Sequence, residues 1–206
     1  VQDTLDEMIA DGTAAEISKK WFGEDLLYKS EVYCEDTAIS EGDDSLRKIQ
    51  ERGTFILGLD DSFPPMGFRD ENNNIVGLDI DLATEVCRRL GVELIVQPID
   101  WDSKELELST GKIDCVWNGM TLTDERLASM FIPKPYIANR QIVIVGNNYK
   151  GEDLASLKGR VVGLQKGSSA LDALEKNTAV RSSVKSISEY ADNVTAFLDL
   201  KAGRIE

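Results

Sequence analysis

The chain of 206 residues contains no histidine, and this absence removes several classes of chemistry. Ser-His-Asp and Cys-His catalysis need an imidazole, as do histidine-based metal sites. No apolar run approaches the ~20 residues of a membrane-spanning helix, and no secretory leader is visible at the start. The net charge of −14 argues against nucleic acids and anionic membrane surfaces as partners. We therefore expect a soluble protein with no cofactor and no metal.

Cysteine is also scarce, and Cys34, Cys87 and Cys115 form an odd set without metal-site spacing. Cys87 lies in a helical pattern and Cys115 in an apolar strand pattern, so both are predicted to be small core residues. The alternative for them is a disulfide. Cys34 lies in a polar stretch and is a free thiol, an engineered or lipidated position, or a residue without a role.

Strands alternate with helices along the chain, which predicts an α/β fold with a mainly parallel sheet. Two short amphipathic helices are predicted within residues 1–23, followed by a polar, acidic linker over residues 24–44. The alternating pattern then forms two blocks, residues 45–145 and 146–206, which predict two lobes. Strands are predicted at residues 55–59, 92–98, 115–117, 142–145 and 161–164. Ligands of such folds lie in clefts at the carboxyl ends of parallel strands.

Four segments resemble the family-3 bacterial extracellular solute-binding proteins. They are DDSFPPMGF at residues 60–68, VGLDIDL at 76–82, NGMTLTDER at 118–126, and DGT at 11–13 with KWFG at 20–23. This family contains the polar amino-acid receptors of ABC importers, such as glutamine- and lysine/arginine/ornithine-binding proteins. The resemblance implies a two-lobed periplasmic-binding-protein-like type II fold, with a nearly complete first lobe and an incomplete second lobe.

The order of the segments departs from the family pattern. In the family the DGT and KWFG segment closes the chain, whereas here it opens the chain. The resemblance therefore implies a circular permutant, a junction between tandem copies, or an engineered fusion, in which residues 1–23 pack on lobe 1. The family also continues beyond the helix at residues 193–202, so two alternatives stay open: this chain alone binds weakly, or another chain or copy supplies the rest of lobe 2.

The motif at residues 118–126 contains groups suited to an amino-acid carboxylate. An arginine fork offers a carboxylate two parallel charge-assisted hydrogen bonds, and the resemblance gives Arg126 this role. The alternative is a surface salt bridge with a neighbouring acid. Thr121 offers its amide and hydroxyl. Asn118 and Gly119 follow a predicted strand, and Gly119 allows close backbone approach or forms a plain turn.

The other candidate ligand contacts come from both predicted lobes. The resemblance places Phe63 and Trp101 around the ligand's side chain and Asp60 against its polar end. Core packing is the alternative for the aromatic residues, and a strand-end turn is the alternative for Asp60. Three further candidates lie in the second block: Gln165 on the far wall, and Ser168 and Ser169 at a helix N-terminus that caps the helix, favours an anion, or does both.

The resemblance implies a binding protein that closes its lobes on a free polar amino acid and delivers it to the membrane subunits of an ABC transporter. Its location would be periplasmic or extracellular, with or without a membrane tether. Two alternatives stay open. One is a ligand-sensing module or half of an engineered biosensor. The other is a prephenate- or arogenate-dehydratase-like enzyme on the same fold, although no paired acidic motif stands out to supply its acid–base chemistry.

Overall fold

The computed structural model describes residues 1–27 and 42–206, which form two compact units. Unit 1 comprises Val1–Ile99 and Lys104–Asn139, and unit 2 comprises Asp100–Ser103 and Arg140–Glu206. Cys34 and most of the predicted linker lie outside the described residues. Within the described part, no helix is both long and apolar enough to cross a membrane.

Unit 1 is built around a three-stranded parallel sheet. Strand β1 (Thr54–Leu59) lies between β5 (Glu93–Pro98) and β6 (Cys115–Val116). Its alternate residues Phe55 and Leu57 are buried, and Leu59 continues the pattern. The central position explains why the prediction of this strand succeeds, since a strand flanked on both sides is the most apolar one. Helices α3 (Ser45–Arg52), α5 (Lys104–Ser109) and α6 (Asp124–Ser129) also belong to unit 1.

Helix α4 (Leu78–Leu90) packs a continuous apolar face into the core of unit 1. Leu78, Leu82 and Val86 recur at helical spacing and are all buried. Gly91 ends the helix in the left-handed conformation, with its N–H donating to the last turn. The pattern of the sequence therefore predicts both the extent and the buried face of this helix.

Two N-terminal helices pack against the same core. Helix α1 (Gln2–Ala10) contributes Leu5 and Met8, and α2 (Thr13–Phe22) contributes Ala14. All three side chains belong to the cluster that also contains the buried face of α4. The N-terminal residues are thus an integral part of unit 1.

A small antiparallel sheet covers the N-terminus of α4. It consists of β2 (Ser62–Phe63), β3 (Gly67–Arg69) and β4 (Ile75–Val76), in that order. Gly77 follows with a φ of 147°, and a Cβ there would lie 2.1 Å from the carbonyl oxygen of Met66. The close approach of helix and hairpin therefore requires glycine at this position.

Cys87 and Cys115 are both free thiols in unit 1, so the disulfide alternative does not occur. Burial raises the pKa of the Cys87 thiol to about 11 and that of Cys115 to about 12. Both thiols are therefore protonated and unreactive near neutral pH.

Unit 2 contains a two-stranded parallel sheet, β7 (Val161–Gln165) beside β8 (Ser186–Tyr190). Leu157, Val180 and Val184 form its small buried cluster. Its other elements are helices α7 (Ser169–Lys176), α8 (Thr178–Ser183) and α9 (Asn193–Lys201), with 3-10 turns at Trp101–Ser103 and Leu154–Leu157.

The structure differs from the predicted elements in unit 2. Helix α8 and strand β8 are absent from the prediction, because their short, polar-rich sequences give little periodic signal. The strand predicted over residues 142–145 is wrong: these residues have no regular secondary structure, and Ile142 is 74% exposed. A strand needs a ladder partner, and the described residues supply none here.

Candidate functional site

The carboxyl ends of β1 and β6 bring the first predicted site residues together. Asp60 follows β1 and Asn118 follows β6, and both are buried. The backbone N–H of Asp60 donates to Oδ1 of Asn118 over 3.2 Å. The Asp60 carboxylate in turn accepts from the N–H and hydroxyl of Ser62, at 2.9 and 2.6 Å. The backbone of Asp60 and the side chain of Asn118 are thus joined where these two strands end.

The backbone at Gly119 passes closely along the hairpin that contains Phe63. Gly119 has a φ of 55°, and a Cβ there would lie 3.1 Å from Met66 Cγ and 3.4 Å from Phe63 Cε1. Its N–H donates to the hydroxyl of Tyr136 over 3.2 Å. Glycine at residue 119 therefore allows both the left-handed turn and the close approach of this backbone to Met66 and Phe63.

Arg126 is buried and held in a defined position. It lies in the first turn of α6, whose N-cap Thr123 accepts from the Arg126 N–H at 3.3 Å. Nη1 of Arg126 donates to the carbonyl of Thr121 over 2.8 Å, and the Thr121 hydroxyl accepts from Asn139 at 2.8 Å. Arg126 is only 6% exposed, so its guanidinium lies below the surface. The predicted carboxylate-binding residue is thus a fixed, buried guanidinium.

Unit 2 groups the other predicted site residues around the end of β7. Gln165 is buried there, with its amide N–H donating to the carbonyl of Ala191 at 3.1 Å and its oxygen accepting from Asn193 at 3.1 Å. The turn that contains Trp101 lies against the same loop, because a Cβ on Gly167 would be 2.9 Å from Asp102 Cα. Trp101 itself is 7% exposed.

The two serines at the start of α7 make different contacts. The Ser168 hydroxyl accepts from the N–H of Ala170 at 3.4 Å and donates to the Gln165 carbonyl at 2.7 Å. The predicted capping role is therefore present in the structure. The Ser169 hydroxyl is buried and accepts from the side-chain amide of Gln141 at 3.0 Å.

One buried acid beside Gly119 is missing from the predicted site. Asp79 is fully buried in α4, and its Oδ1 accepts from the Tyr136 hydroxyl at 2.7 Å. Burial raises the pKa of Asp79 to about 7, and the hydrogen bond from the Tyr136 hydroxyl opposes this rise. Burial and the Asp79 charge raise the pKa of Tyr136 well above its usual value. The helical spacing of Asp79 to Val86 is the sequence signal that identifies this acid as core-facing.

Comparison with known proteins identifies the family. Residues 55–195 match the model of the bacterial extracellular solute-binding proteins, family 3. The L-cystine-binding protein TcyJ of Escherichia coli K12 is 31% identical over 163 residues, 78% of this chain and 60% of that protein. The ABC transporter arginine-binding protein 1 of the same organism is 34% identical over 151 residues, 73% of this chain and 60% of that protein. The chain thus spans about 60% of the length of these curated relatives.

Solved structures show the same fold. The holo form of ArgBP from T. maritima matches with a TM-score of 0.72 and 36% identity, covering 78% of this chain and 70% of that chain. A Streptococcus pneumoniae substrate-binding protein of an ABC uptake transporter, with bound histidine, matches with a TM-score of 0.67 and 32% identity, covering 81% and 69%. These neighbours confirm the predicted two-lobed type II α/β fold. The match over residues 55–195 includes more than half of the chain, and the chain therefore belongs to the bacterial extracellular solute-binding proteins, family 3.

Proposed function

We propose that this chain binds a free polar L-amino acid for delivery to an ABC importer and does not alter it chemically. The observation that carries the proposal is the buried guanidinium of Arg126, fixed by Thr121 and Thr123 beyond the carboxyl end of β6. Family membership supports it, because the family and the relatives described above are solute-binding proteins and not enzymes.

The ligand carboxylate is assigned to Arg126. A guanidinium presents its N–H donors in a rigid fork that matches a carboxylate. The bond from Nη1 to the Thr121 carbonyl sets the plane of that fork before a ligand arrives. A preset donor loses little side-chain entropy on binding, and this favours affinity for a small ligand.

The side chain of the ligand is assigned to three residues of unit 1: Asp60, Asn118 and Phe63. Asp60 supplies negative charge, which favours a basic or otherwise polar side chain. Nδ2 of Asn118 is a buried donor that makes no hydrogen bond within the described part of the chain. A polar ligand atom would satisfy that donor, whereas an apolar side chain would leave it unpaired. Phe63 offers its ring beside the same loop.

The residues of unit 2, Trp101, Gln165, Ser168 and Ser169, stay proposed ligand contacts. The importer subunits are the proposed partners and the periplasmic or extracellular space the proposed location, because relatives include a lysine/arginine/ornithine-binding periplasmic protein and ABC transporter arginine-binding proteins. A permuted segment order, another chain or copy that completes lobe 2, and a membrane tether remain predictions.

A thermal-unfolding scan against each of the common amino acids at millimolar concentration tests the proposal. A ligand at a hundred times its dissociation constant stabilises the native state by about 2.7 kcal/mol. We expect one or a few polar amino acids, with L-arginine as the first probe, to raise the unfolding temperature. A cooperatively unfolding chain that responds to none of them would contradict the proposal.

Two single arginine variants, one in the proposed site and one outside it, provide the control for that scan. Arg126→Gln removes the proposed carboxylate donor, and we expect it to abolish the ligand-induced rise. Arg47→Gln changes an exposed arginine of α3 that pairs with Asp44 and Glu51, and it should leave the rise intact. Circular dichroism of both variants verifies that each is folded.

A further inference from the structure

A continuous hydrogen-bond chain runs from the loop at residues 118–121, here called the binding loop, into the core of unit 1. The N–H of Gly119 donates to the Tyr136 hydroxyl at 3.2 Å, and that hydroxyl donates to Oδ1 of Asp79 at 2.7 Å. The hydroxyl has one proton and here acts once as acceptor and once as donor, so its orientation is fixed by the two bonds. The orientation of the Gly119 amide is fixed with it.

The ring of Tyr136 is held as firmly as its hydroxyl. It packs against Trp117 edge to face, with ring centroids 6.3 Å apart and an interplanar angle of 66°. Such T-shaped pairs are favourable beyond their buried area. Trp117 immediately precedes Asn118 in the binding loop, so the ring contact and the hydroxyl contact hold the same short segment at two points.

Asp79 also connects this loop to the hairpin. Its backbone N–H donates to the Met66 carbonyl at 3.0 Å, while its side chain receives the Tyr136 bond. Met66 lies next to Gly119, as does Phe63. One residue of α4 therefore sets the position of both the hairpin and the loop that carry proposed ligand contacts.

We propose that Asp79 and Tyr136 are positioning residues of the amino-acid site, which hold the Gly119 amide and the 118–121 loop in their ligand-binding arrangement without touching the ligand. This inference rests on the proposed function of the same loop. The choice of residue types supports it: a buried carboxylate is costly, and a role in filling space alone would be met by an apolar side chain at lower cost.

A matched tyrosine pair tests this role. Tyr136→Phe deletes the bridging hydroxyl, whereas Tyr190→Phe deletes a 2.7 Å tyrosine–aspartate bond to Asp199 in unit 2. We expect Tyr136→Phe to weaken L-arginine binding, measured by calorimetry, at least about tenfold, and Tyr190→Phe to change it less than about threefold. Equal affinities for the two variants, both folded, would overturn the proposal.

Asp79 variants separate positioning from a general loss of packing. Asp79→Asn keeps an oxygen acceptor for the Tyr136 hydroxyl, so affinity should recover to within about threefold of the parent. Asp79→Leu keeps the branched shape of the side chain but removes the acceptor, and its binding should be as weak as that of Tyr136→Phe. If Tyr136→Phe fails to fold because the Asp79 carboxylate is left alone, the double variant Tyr136→Phe/Asp79→Leu removes that charge and is expected to show the same loss.

Hydrogen exchange of the Gly119 amide gives a readout that does not depend on any ligand. Exchange should accelerate at least about tenfold in Tyr136→Phe and remain unchanged in Tyr190→Phe. If the parent chain binds none of the amino acids, the proposed function fails, and this exchange result alone decides the positioning role. Unchanged exchange at Gly119 in Tyr136→Phe would then refute it.

Discussion

The carbonyl oxygen of Met66 accepts a 3.0 Å hydrogen bond from the N–H of Asp79, which joins the β2–β3 hairpin to the first turn of α4. The neighbouring Pro65 carbonyl accepts from the N–H of Leu78 at 2.9 Å. Helix N-termini leave their first N–H groups without partners inside the helix. Here the hairpin supplies those partners. The N-terminus of α4 therefore positions the hairpin that carries Phe63, a proposed ligand contact.

Gly77→Ala should disrupt this contact between the hairpin and α4. A Cβ at residue 77 would lie 2.1 Å from the Met66 carbonyl oxygen, and backbone atoms cannot yield as a flexible side chain can. We expect a loss of at least about 3 kcal/mol in the free energy of unfolding, from the clash together with an unfavourable φ. Urea denaturation measures it.

Gly91→Ala is the matched control at the opposite end of α4. Gly91 also has a positive φ, 73°, but a Cβ there meets nothing within 4 Å. Gly91→Ala should therefore lower the free energy of unfolding by only about 1 kcal/mol, which is the cost of the backbone conformation alone. If the two variants lose equal stability, contact with the hairpin is not what requires glycine at residue 77.

The fully buried carboxyl of Asp79 predicts a pH dependence with a defined sign. Its pKa rises from 3.8 in the unfolded chain to about 7 in the folded protein, so the folded state binds the proton more tightly. The resulting stabilisation is complete below pH ~4 and is lost as the pH rises through 7. Between pH 5 and 8 the loss is about 2–3 kcal/mol.

Asp79→Asn should remove this slope, and urea denaturation at a series of pH values checks it. The variant keeps the acceptor for Tyr136 but cannot ionise, so its stability relative to the parent should increase from pH 5 to 8. Asp11 and Glu85 do not interfere in this window: hydrogen bonds from Thr13 to Asp11 and from Arg88 to Glu85 are the main causes that lower each pKa to about 2, and their contributions vanish only at acid pH. Parallel pH profiles of parent and variant would show that Asp79 is ionised throughout.

Local pattern was sufficient to predict β1 and α4, since both have buried faces with a regular period. It was also sufficient to place Asp60 and Asn118 at strand ends, and the structure brings them into contact. The pairing of Asp79 with Tyr136 was not predictable in this way. These residues are 57 positions apart, and their contact depends on how the loop after α6 returns across the core.

The wrong prediction of a strand over residues 142–145 shows that a strand-like sequence alone is not sufficient to form a strand. The apolar, β-branched sequence of these residues is typical of a strand, but a strand exists only as part of a ladder, and the described residues provide no partner. Strand β8 has a less apolar sequence and still forms, because β7 pairs with it along its whole length. Pairing is a property of two segments and is invisible in either one alone.

Ser168 allows its two proposed roles to be separated. Ser168→Ala removes the N-cap of α7, which should cost about 1 kcal/mol of stability. Asn177→Ala removes the N-cap of α8 in the same unit, where the Asn177 side chain accepts from the Val180 N–H at 3.3 Å. Both variants should therefore lose similar stability in urea denaturation.

Ligand affinity then distinguishes the two caps. If Ser168 contacts the amino acid as we propose, Ser168→Ala weakens L-arginine binding at least about fivefold in calorimetry, because a hydrogen bond to a charged group is lost along with the cap. Asn177→Ala should leave affinity within about twofold, since α8 begins away from the β7 end. An equal and small effect of both variants on affinity would show that Ser168 only caps its helix, and would leave the α7 terminus out of the site.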